Sequence, residues 1–254
     1  MTEPVRIRIL GVGMGPGHVT PEVADALRTV DYVLAADKGN ETDDELLAAR
    51  REILAAHTDR DVEIVCVPDP ERDRSTDLST SGYQNAVSEW HDARAVRYAT
   101  ELRTRGGTAA FLVWGDPSLY DSTIRVVERI AQLGIDIDFD VLPGISAPQL
   151  LAARHRIVLH DVGRPVHITT GRRLQEAVAA GQDNIVAMLN PPPDRLNFSG
   201  LEDWRIWWGA NLGATGERLD AGRLGDTMSR ICQARAAAKA EAGWVMDLFL
   251  VRMA

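Results

Sequence analysis

The first segment with the composition of a ligand-binding loop is the run Gly-Val-Gly-Met-Gly-Pro-Gly at residues 11–17, which follows an alternating apolar segment at residues 5–10. Glycines at this spacing let the backbone turn tightly and approach a ligand closely. Pro16 occupies the third glycine position of the dinucleotide-binding fingerprint, where it removes an N–H donor, so that fingerprint fits poorly. A ligand-binding loop and a purely structural turn both remain open for this segment.

Two further loops have a similar composition. Residues 114–121 read Trp-Gly-Asp-Pro-Ser-Leu-Tyr-Asp and follow an apolar strand pattern at 108–113, while 143–147 read Pro-Gly-Ile-Ser-Ala and follow a strand pattern at 137–142. Ligands of parallel α/β sheets bind at the carboxyl ends of the strands. Asp116 has two interpretations, since it either accepts hydrogen bonds from a ligand or begins a turn. Three such loops at one sheet edge favour a binding site over three unrelated turns.

Arginines are the candidate groups for an acidic ligand, because a guanidinium binds a carboxylate through two parallel hydrogen bonds. Arg94 and Arg97 share a predicted helix face with Trp90. We expect about half of the arginines near the loops to be solvated surface groups, since exposed ion pairs contribute little. The others of interest are Arg72, Arg74, Arg154, Arg156, Arg172 and Arg173.

Several kinds of catalytic site are excluded by the motifs that the sequence lacks. It has no phosphate-binding P-loop, no His-Glu-x-x-His zinc motif and no Gly-x-Ser-x-Gly nucleophile motif. The six histidines are scattered without the spacing of metal ligands, and His18 is alone in the first glycine loop. We therefore predict no metal site.

Composition limits the class of partner. The chain has 254 residues, 45% of them hydrophobic, and a net charge of −9, which argues against sequence-independent nucleic-acid binding but permits a local arginine cluster for an acidic small molecule. The two cysteines have no nearby Cys or His partner, and no apolar run reaches the length of a membrane span. We expect a cytoplasmic protein without a signal peptide.

The elements that must position these loops alternate between strand and helix over about the first 155 residues. This pattern predicts a mainly parallel sheet covered on both faces, in a domain at 1–160. Residues 161–165 resemble a connector, and a second α/β domain is expected at 166–254. Residues 68–81 are polar and proline-containing, which predicts a loop or a lid.

The three loops together resemble those of the tetrapyrrole (corrin/porphyrin) methyltransferase family, whose members use S-adenosylmethionine. The resemblance covers essentially the whole chain and is strongest from 5 to 175. It implies two α/β domains, with a mixed sheet in the C-terminal one, the cofactor in the cleft between the domains, and a homodimer. The segments that resemble family members acting on precorrin-5 are 69–74, 90–94, 114–123, 155–157 and 169–174.

Site residues follow from the resemblance by position. The glycine loop is implied to line the tetrapyrrole side through Gly15, Pro16 and Gly17. Beyond residue 195 the chain departs from the family pattern around Asn211 and Gly213. The cofactor contacts that the resemblance implies are Trp114, Gly115, Asp116, Leu119, Ser146, Ala147, Met188 and Leu212.

The implied reaction is methylation of C-1 of precorrin-5, coupled to loss of C-20 and its methyl group as acetate. Deacetylation requires proton transfer, and Tyr120 and Asp121 are the candidates by their position beside the cofactor loop. A subset of Arg72, Arg74, Arg94, Arg97, Arg156 and Arg172 is expected to bind substrate carboxylates. Three alternatives stay open: another precorrin methyltransferase, a nicotinamide-dependent oxidoreductase with Asp37 after its second strand, and an inactive binding protein of the same fold.

Overall fold

The computed structural model describes residues 4–37, 39, 41–71 and 80–253. The chain divides into two compact units, Met1–Ile145 and Ser146–Ala254. Of the sequence predictions, Arg72, Arg74 and most of the 68–81 loop lie outside the described residues.

The first unit contains a parallel five-stranded sheet. Its strands are β1 (Val5–Gly11), β2 (Tyr32–Asp37), β3 (Glu63–Pro68), β4 (Thr108–Val113) and β5 (Ile137–Leu142). The strand order is β3-β2-β4-β1-β5, and every pair in it is parallel. The predicted parallel sheet is therefore confirmed.

Helices cover both faces of this sheet, because successive strand residues point to opposite sides. The helices are α1 (Pro21–Leu27), α2 (Glu41–His57), α3 (Thr80–Arg105) and α4 (Thr123–Gln132). Ile7 and Ile9 of β1 pack with residues of α3 and α4, whereas Leu10 packs with residues of α1 and α2. Helix α1 begins after Thr20, because the Thr20 hydroxyl accepts a hydrogen bond from the Val23 N–H at 3.3 Å and proline is the first helical residue.

The second unit contains a mixed five-stranded sheet. Its strands are β6 (His167–Thr170), β7 (Asn184–Met188), β8 (Arg205–Ala210), β9 (Arg218–Arg223) and β10 (Asp247–Arg252). They lie in the order β6-β7-β10-β8-β9. Only the β6–β7 pair is parallel, and the other three pairs are antiparallel. The mixed sheet implied for the C-terminal domain is confirmed.

Three helices complete this unit: α5 (Ala147–His155), α6 (Leu174–Ala179) and α7 (Leu224–Ala242). Helix α5 groups with the second unit because it packs on β8, β9 and β10. The sequence pattern instead puts the boundary after α5, at 161–165, where composition changes. Contacts of α5 with a sheet that follows it in the chain are not visible in local composition.

Helix α7 and strand β9 are not predicted by the sequence pattern. The buried face of α7 contains Leu224, Thr227, Ile231 and Ala238, and two of these four residues are small or polar. Strand β9 is at the edge of its sheet and is only partly buried, so its sequence lacks a strong apolar alternation. Both elements are stabilised by tertiary packing more than by their own pattern.

Candidate functional site

The three glycine-containing loops lie at one edge of the first sheet. Strands β4, β1 and β5 are neighbours in the sheet and run in the same direction, so the loops at 12–20, 114–121 and 143–145 leave from adjacent carboxyl ends. This is the edge at which parallel α/β sheets bind ligands. The predicted convergence of the loops is observed.

Glycine is required where these loops touch. A Cβ atom on Gly11 would lie 2.5 Å from the Gly144 nitrogen, and one on Gly144 would lie 2.5 Å from the Gly11 carbonyl oxygen and closer still to the Gly115 carbonyl oxygen. Real Cβ atoms do not approach backbone this closely. The three backbones are therefore in direct contact, and no side chain separates them.

A pair of hydrogen bonds joins the first two loops beyond the ends of the strands. Gly115 N–H donates to the Gly13 carbonyl at 2.7 Å, and Gly13 N–H donates to the Gly115 carbonyl at 3.2 Å. Gly13 has φ +69° and Gly115 has φ +77°, a region that glycine adopts without strain. The reciprocal bonds fix the backbone groups of one loop against the other.

The segment Pro16–His18 forms a short 3-10 helix at the end of the first loop. His57 at the end of α2 contacts the Pro16 carbonyl through Nε2 at 2.9 Å, which makes that nitrogen the donor. Gly17 is exposed, with open space around its Cα. The predicted tetrapyrrole-lining residues Gly15, Pro16 and Gly17 thus belong to a loop that is held by a hydrogen bond from the end of α2.

Asp116 connects the second loop to the third. One carboxylate oxygen accepts from the Ser118 N–H at 2.9 Å and from the Ser118 hydroxyl, and the other accepts from the Gly144 N–H at 3.0 Å. Partial burial raises the pKa of Asp116, but the hydrogen bonds from Ser118 and Gly144 lower it by more, and the net pKa is below its usual value. The carboxylate thus positions the two loops by accepting hydrogen bonds from their backbone N–H groups.

The two predicted proton-transfer residues differ in their surroundings. The Asp121 carboxylate accepts from the Thr123 N–H at 2.6 Å, at the beginning of α4. Tyr120 is 45% exposed and has φ +52°, a left-handed conformation that is uncommon for a residue with a side chain. Asp121 is therefore engaged in holding a helix end, whereas the Tyr120 ring is accessible at the sheet edge.

His18 shows a feature that the sequence interpretation passed over. Its Nδ1 atom is buried and has no hydrogen-bond partner among the described residues. Its Cβ atom packs against Gly13, since a Cβ on that glycine would lie 2.8 Å from it. A buried ring nitrogen without a partner is rare in folded proteins, and it places a titratable group beside the loops.

The second sheet has its own carboxyl edge. Strands β6, β7 and β8 all run in the same direction, so the segments after Thr170, Met188 and Ala210 leave from one edge. Met188 ends β7, and Leu212 follows β8 by two residues. These two predicted cofactor contacts therefore lie at the same sheet edge, and the side chain of Leu212 is buried, with 1% exposure.

The segments after β7 and β8 each contain a residue with a strained backbone conformation. Leu189 has φ +52° directly after β7, and Asn211 has φ +48° directly after β8. Such conformations cost of order 1–3 kcal/mol and concentrate at functional sites. Together with Tyr120, three non-glycine residues with positive φ adjoin predicted cofactor segments, a signal that no sequence pattern carries.

Ser146 and Ala147 begin the second unit at the start of α5. The Ser146 N–H and hydroxyl both donate to Oε1 of Gln149 at 2.8 Å, and the Ser146 carbonyl accepts from the Leu150 N–H. Ser146 is 5% exposed. This capping arrangement fixes the start of α5 and engages the polar groups of Ser146 locally.

The two predicted substrate arginines of the first unit that the structure describes, Arg94 and Arg97, are already engaged. Arg94 binds both carboxylate oxygens of Asp69, at 2.5 and 2.8 Å, and its guanidinium lies 3.9 Å from the Trp90 ring centroid. Arg97 donates to the Pro68 carbonyl at 2.5 Å. These side chains hold the end of β3 against α3, so the structure supports a positioning role for Arg94.

The predicted arginines of the second unit are not engaged in this way. Arg156 ends α5 in a left-handed conformation, and Arg172 belongs to a short 3-10 helix after β6. Both are exposed, and neither forms an ion pair with a described residue. Arg195, which the sequence analysis does not single out, shares these properties.

Two further observations concern metal ions and membranes. No group of three or more His, Cys, Asp or Glu side chains within the described ranges is arranged to hold a metal ion. No described helix is both long enough and apolar enough to cross a membrane.

Comparison with known proteins identifies relatives that cover most of the chain. The family model of the tetrapyrrole (corrin/porphyrin) methylases matches residues 8–227. A precorrin-6A synthase [deacetylating] from a Sinorhizobium species is 42% identical over an alignment that spans 97% of this chain and 95% of that protein.

Solved structures agree in fold. A cobalamin synthesis related protein, CobF, from Corynebacterium diphtheriae has a TM-score of 0.80 and 34% identity and covers 98% of both chains. A uroporphyrin-III C-methyltransferase from Thermus thermophilus, solved in complex with S-adenyl homocysteine, has a TM-score of 0.59 over 97% of this chain and 92% of that one. At 15% identity it shows the fold alone. The family model covers most of the chain, and the chain belongs to the tetrapyrrole (corrin/porphyrin) methylases.

Proposed function

We propose that the chain methylates C-1 of precorrin-5 with S-adenosylmethionine and releases acetate, giving precorrin-6A in aerobic cobalamin biosynthesis. The observation that carries this proposal is the 42% identity, over 97% of the chain, to a protein named precorrin-6A synthase [deacetylating]. The CobF structure at 34% identity supports the same assignment. We further propose that the protein acts as a cytoplasmic homodimer.

The loops fit a cofactor that is bound mainly through backbone groups. Gly11, Gly115 and Gly144 have no side chain at their contact, so a ligand can approach the backbone of these loops closely. In the proposed site, S-adenosylmethionine supplies an electrophilic methyl group. The residues proposed to hold it are Trp114, Gly115, Asp116 and Leu119 in the first unit, and Ser146, Ala147, Met188 and Leu212 in the second.

The proposed contributions of these residues differ. Asp116 positions the second and third loops through Ser118 and Gly144, and its ionised form keeps those bonds at neutral pH. Leu212 contributes its backbone, because its side chain is buried against Gly209. Methyl transfer needs no protein nucleophile, so alignment and exclusion of water are the main tasks of the chain.

Deacetylation needs a group that moves protons. Of the two predicted residues, Tyr120 is the stronger candidate, because its ring is accessible at the edge while Asp121 caps α4. We propose that the Tyr120 hydroxyl assists attack of water on the acetyl carbon, and that Gly15, Pro16 and Gly17 line the tetrapyrrole side. Full acetate release by both Tyr120→Phe and Asp121→Asn would contradict this role.

The first experiment is calorimetric titration of the purified protein with S-adenosylhomocysteine, with NADH as the comparison ligand. We expect S-adenosylhomocysteine to bind and NADH not to bind. Turnover of precorrin-5 with simultaneous detection of acetate then tests the reaction itself. Methylation without acetate indicates another precorrin methyltransferase, binding without turnover indicates an inactive binding protein, and preference for NADH indicates an oxidoreductase.

A further inference from the structure

Two arginines at the carboxyl edge of the second sheet have no partner. Arg172 and Arg195 are both exposed, and neither guanidinium forms a hydrogen bond or ion pair with any residue in the described part of the chain. Neighbouring arginines are engaged: Arg173 binds Glu176 through two contacts of 2.8 and 2.5 Å, and Arg164 binds Asp183 at 2.6 Å.

The segments that carry these arginines lie side by side. A Cβ atom on Gly171 would lie 2.8 Å from Cδ2 of Leu196, so the residue before Arg172 contacts the residue after Arg195. A second contact follows one turn later, where the Gln175 amide donates to the Asn197 carbonyl at 3.0 Å. Residues 171–175 and 195–199 are thus packed together at two points.

Both arginines belong to short 3-10 helices. Arg172 lies within the helix Gly171–Arg173, and Arg195 ends the helix Pro193–Arg195, whose first residue is the last of three consecutive prolines. The Arg195 N–H donates to the Pro192 carbonyl at 2.8 Å.

We infer that Arg172 and Arg195 together bind two carboxylates of one polycarboxylate ligand. A guanidinium binds a carboxylate through paired hydrogen bonds, and a protein with excess acidic residues needs a local basic pair to attract a polyanion. The exposed Asp194 beside Arg195 does not neutralise it through an ion pair. Identification of the ligand as the tetrapyrrole substrate rests on the proposed function, whereas the carboxylate site rests on the two arginines.

Arg156 is also exposed and without an ion pair, but the inference does not include it. It ends α5, and no described contact ties it to the edge that carries the other two. The pair is therefore defined by the contact between Gly171 and Leu196, together with the position of both segments after the parallel strands β6 and β7.

The test measures binding of uroporphyrin III, a stable tetrapyrrole with carboxylates around its ring, by fluorescence titration of the full chain. Arg172→Met, Arg195→Met and the double variant remove the pair. The matched control is Arg205→Met, which removes an exposed arginine at the amino end of β8 in the same sheet, where the guanidinium lies 5.5 Å from the Trp207 ring centroid. Melting temperatures verify that each variant is folded.

We expect each single variant to weaken binding of the probe about ten-fold and the double variant about a hundred-fold, with the control within about two-fold of wild type. The wild-type affinity should also fall as salt is raised, and the double variant should respond less. The inference is overturned if the wild type does not bind the probe, if the double variant binds as tightly as wild type, or if Arg205→Met loses as much affinity.

A parallel titration with S-adenosylhomocysteine separates this inference from the proposed function. If S-adenosylhomocysteine binds and the arginine variants bind the probe normally, the arginine pair is wrong and the proposed function stands. If S-adenosylhomocysteine does not bind but probe affinity depends on the arginines, the carboxylate site stands and the proposed function is wrong.

Discussion

The segments at the carboxyl edges of the two sheets are held in place differently, by backbone contact in the first unit and by a side-chain amide in the second. In the first unit, the loops after β1, β4 and β5 touch through Gly11, Gly115 and Gly144, where any side chain would clash. In the second unit, a buried side-chain amide joins the segment after β8 to the segment that precedes β10. Asn211 accepts from the Met246 N–H at 2.9 Å and donates to the Trp244 carbonyl at 3.2 Å.

This difference determines which substitutions each edge tolerates. Direct contact between backbones requires glycine at the contact points, so adding one methyl group disturbs it. An amide bridge depends on specific atoms, so removing them leaves buried backbone groups without partners. The first edge is sensitive to enlargement and the second to truncation, which gives a set of testable contrasts.

The largest effect is expected for Gly144→Ala. The added Cβ meets the backbone carbonyls of Gly11 and Gly115, and neither can move without disrupting the sheet edge. We expect a loss of at least about 3 kcal/mol in the free energy of unfolding, measured by urea denaturation, together with loss of S-adenosylhomocysteine binding.

Gly17→Ala is the matched control, because Gly17 has open space around it. It should change the free energy of unfolding by less than about 0.5 kcal/mol. Equal behaviour of the two alanine variants would show that the glycine contact does not define the first edge.

At the second edge, Asn211→Ala should cost about 2–3 kcal/mol in urea denaturation. The amide is 1% exposed and its three backbone partners lose their hydrogen bonds. Asn211→Gly removes the same amide but relieves the positive φ, so it should be about 1 kcal/mol more stable than Asn211→Ala. Identical stability of the two variants would contradict a role for backbone strain.

A smaller effect is expected for Asp116→Asn, which replaces a carboxylate accepting from two sides with an amide that has only one acceptor oxygen. We expect a loss of about 1–2 kcal/mol at pH 7. The folded-state pKa of Asp116 lies below the unfolded value of about 3.9. The wild-type advantage is therefore complete above about pH 5 and shrinks as the pH falls through about 4. Urea denaturation at several pH values measures this, and a constant difference across the range would refute it.

The smallest expected effect has the opposite sign. Leu189 is 63% exposed and has φ +52°, so Leu189→Gly relieves strain without emptying a core. We expect a gain of about 0.5 kcal/mol in the free energy of unfolding, after the greater chain entropy of glycine is counted. Leu219→Gly, at a 39% exposed position in β9 that lacks a positive φ, should instead be destabilising. Loss of stability in Leu189→Gly would mean that its side chain contributes packing.

The first sheet could be predicted from sequence because its strands are buried and its connections are regular. The glycine loops could also be predicted, because a loop that needs glycine where backbones touch shows this in its composition. Helix α7 and strand β9 could not be predicted, because small residues and partial burial leave a weak pattern. The place of α5 in the second unit depends on contacts with strands that come later in the chain.

The candidate site was predictable where residue type alone signals a role, as in the loops at 11–17 and 114–121. Arg94 illustrates the limit, since its pairing with Asp69 depends on the approach of α3 to the end of β3. The partnerless nitrogen of His18 and the exposed Arg195 are likewise properties of the folded chain. Residue type gives the chemistry, and only tertiary contacts show which groups are already engaged.

The position of β10 has a consequence for synthesis on the ribosome. All five strands of the first sheet lie within residues 5–142, so that sheet can assemble while the rest of the chain is still being translated. In the second sheet β10 lies between β7 and β8, although it follows the other four strands of the sheet in sequence. The β6–β7 pair and the β8–β9 hairpin therefore remain separate until residues 247–252 have emerged, and each exposes an unpaired strand edge during that interval.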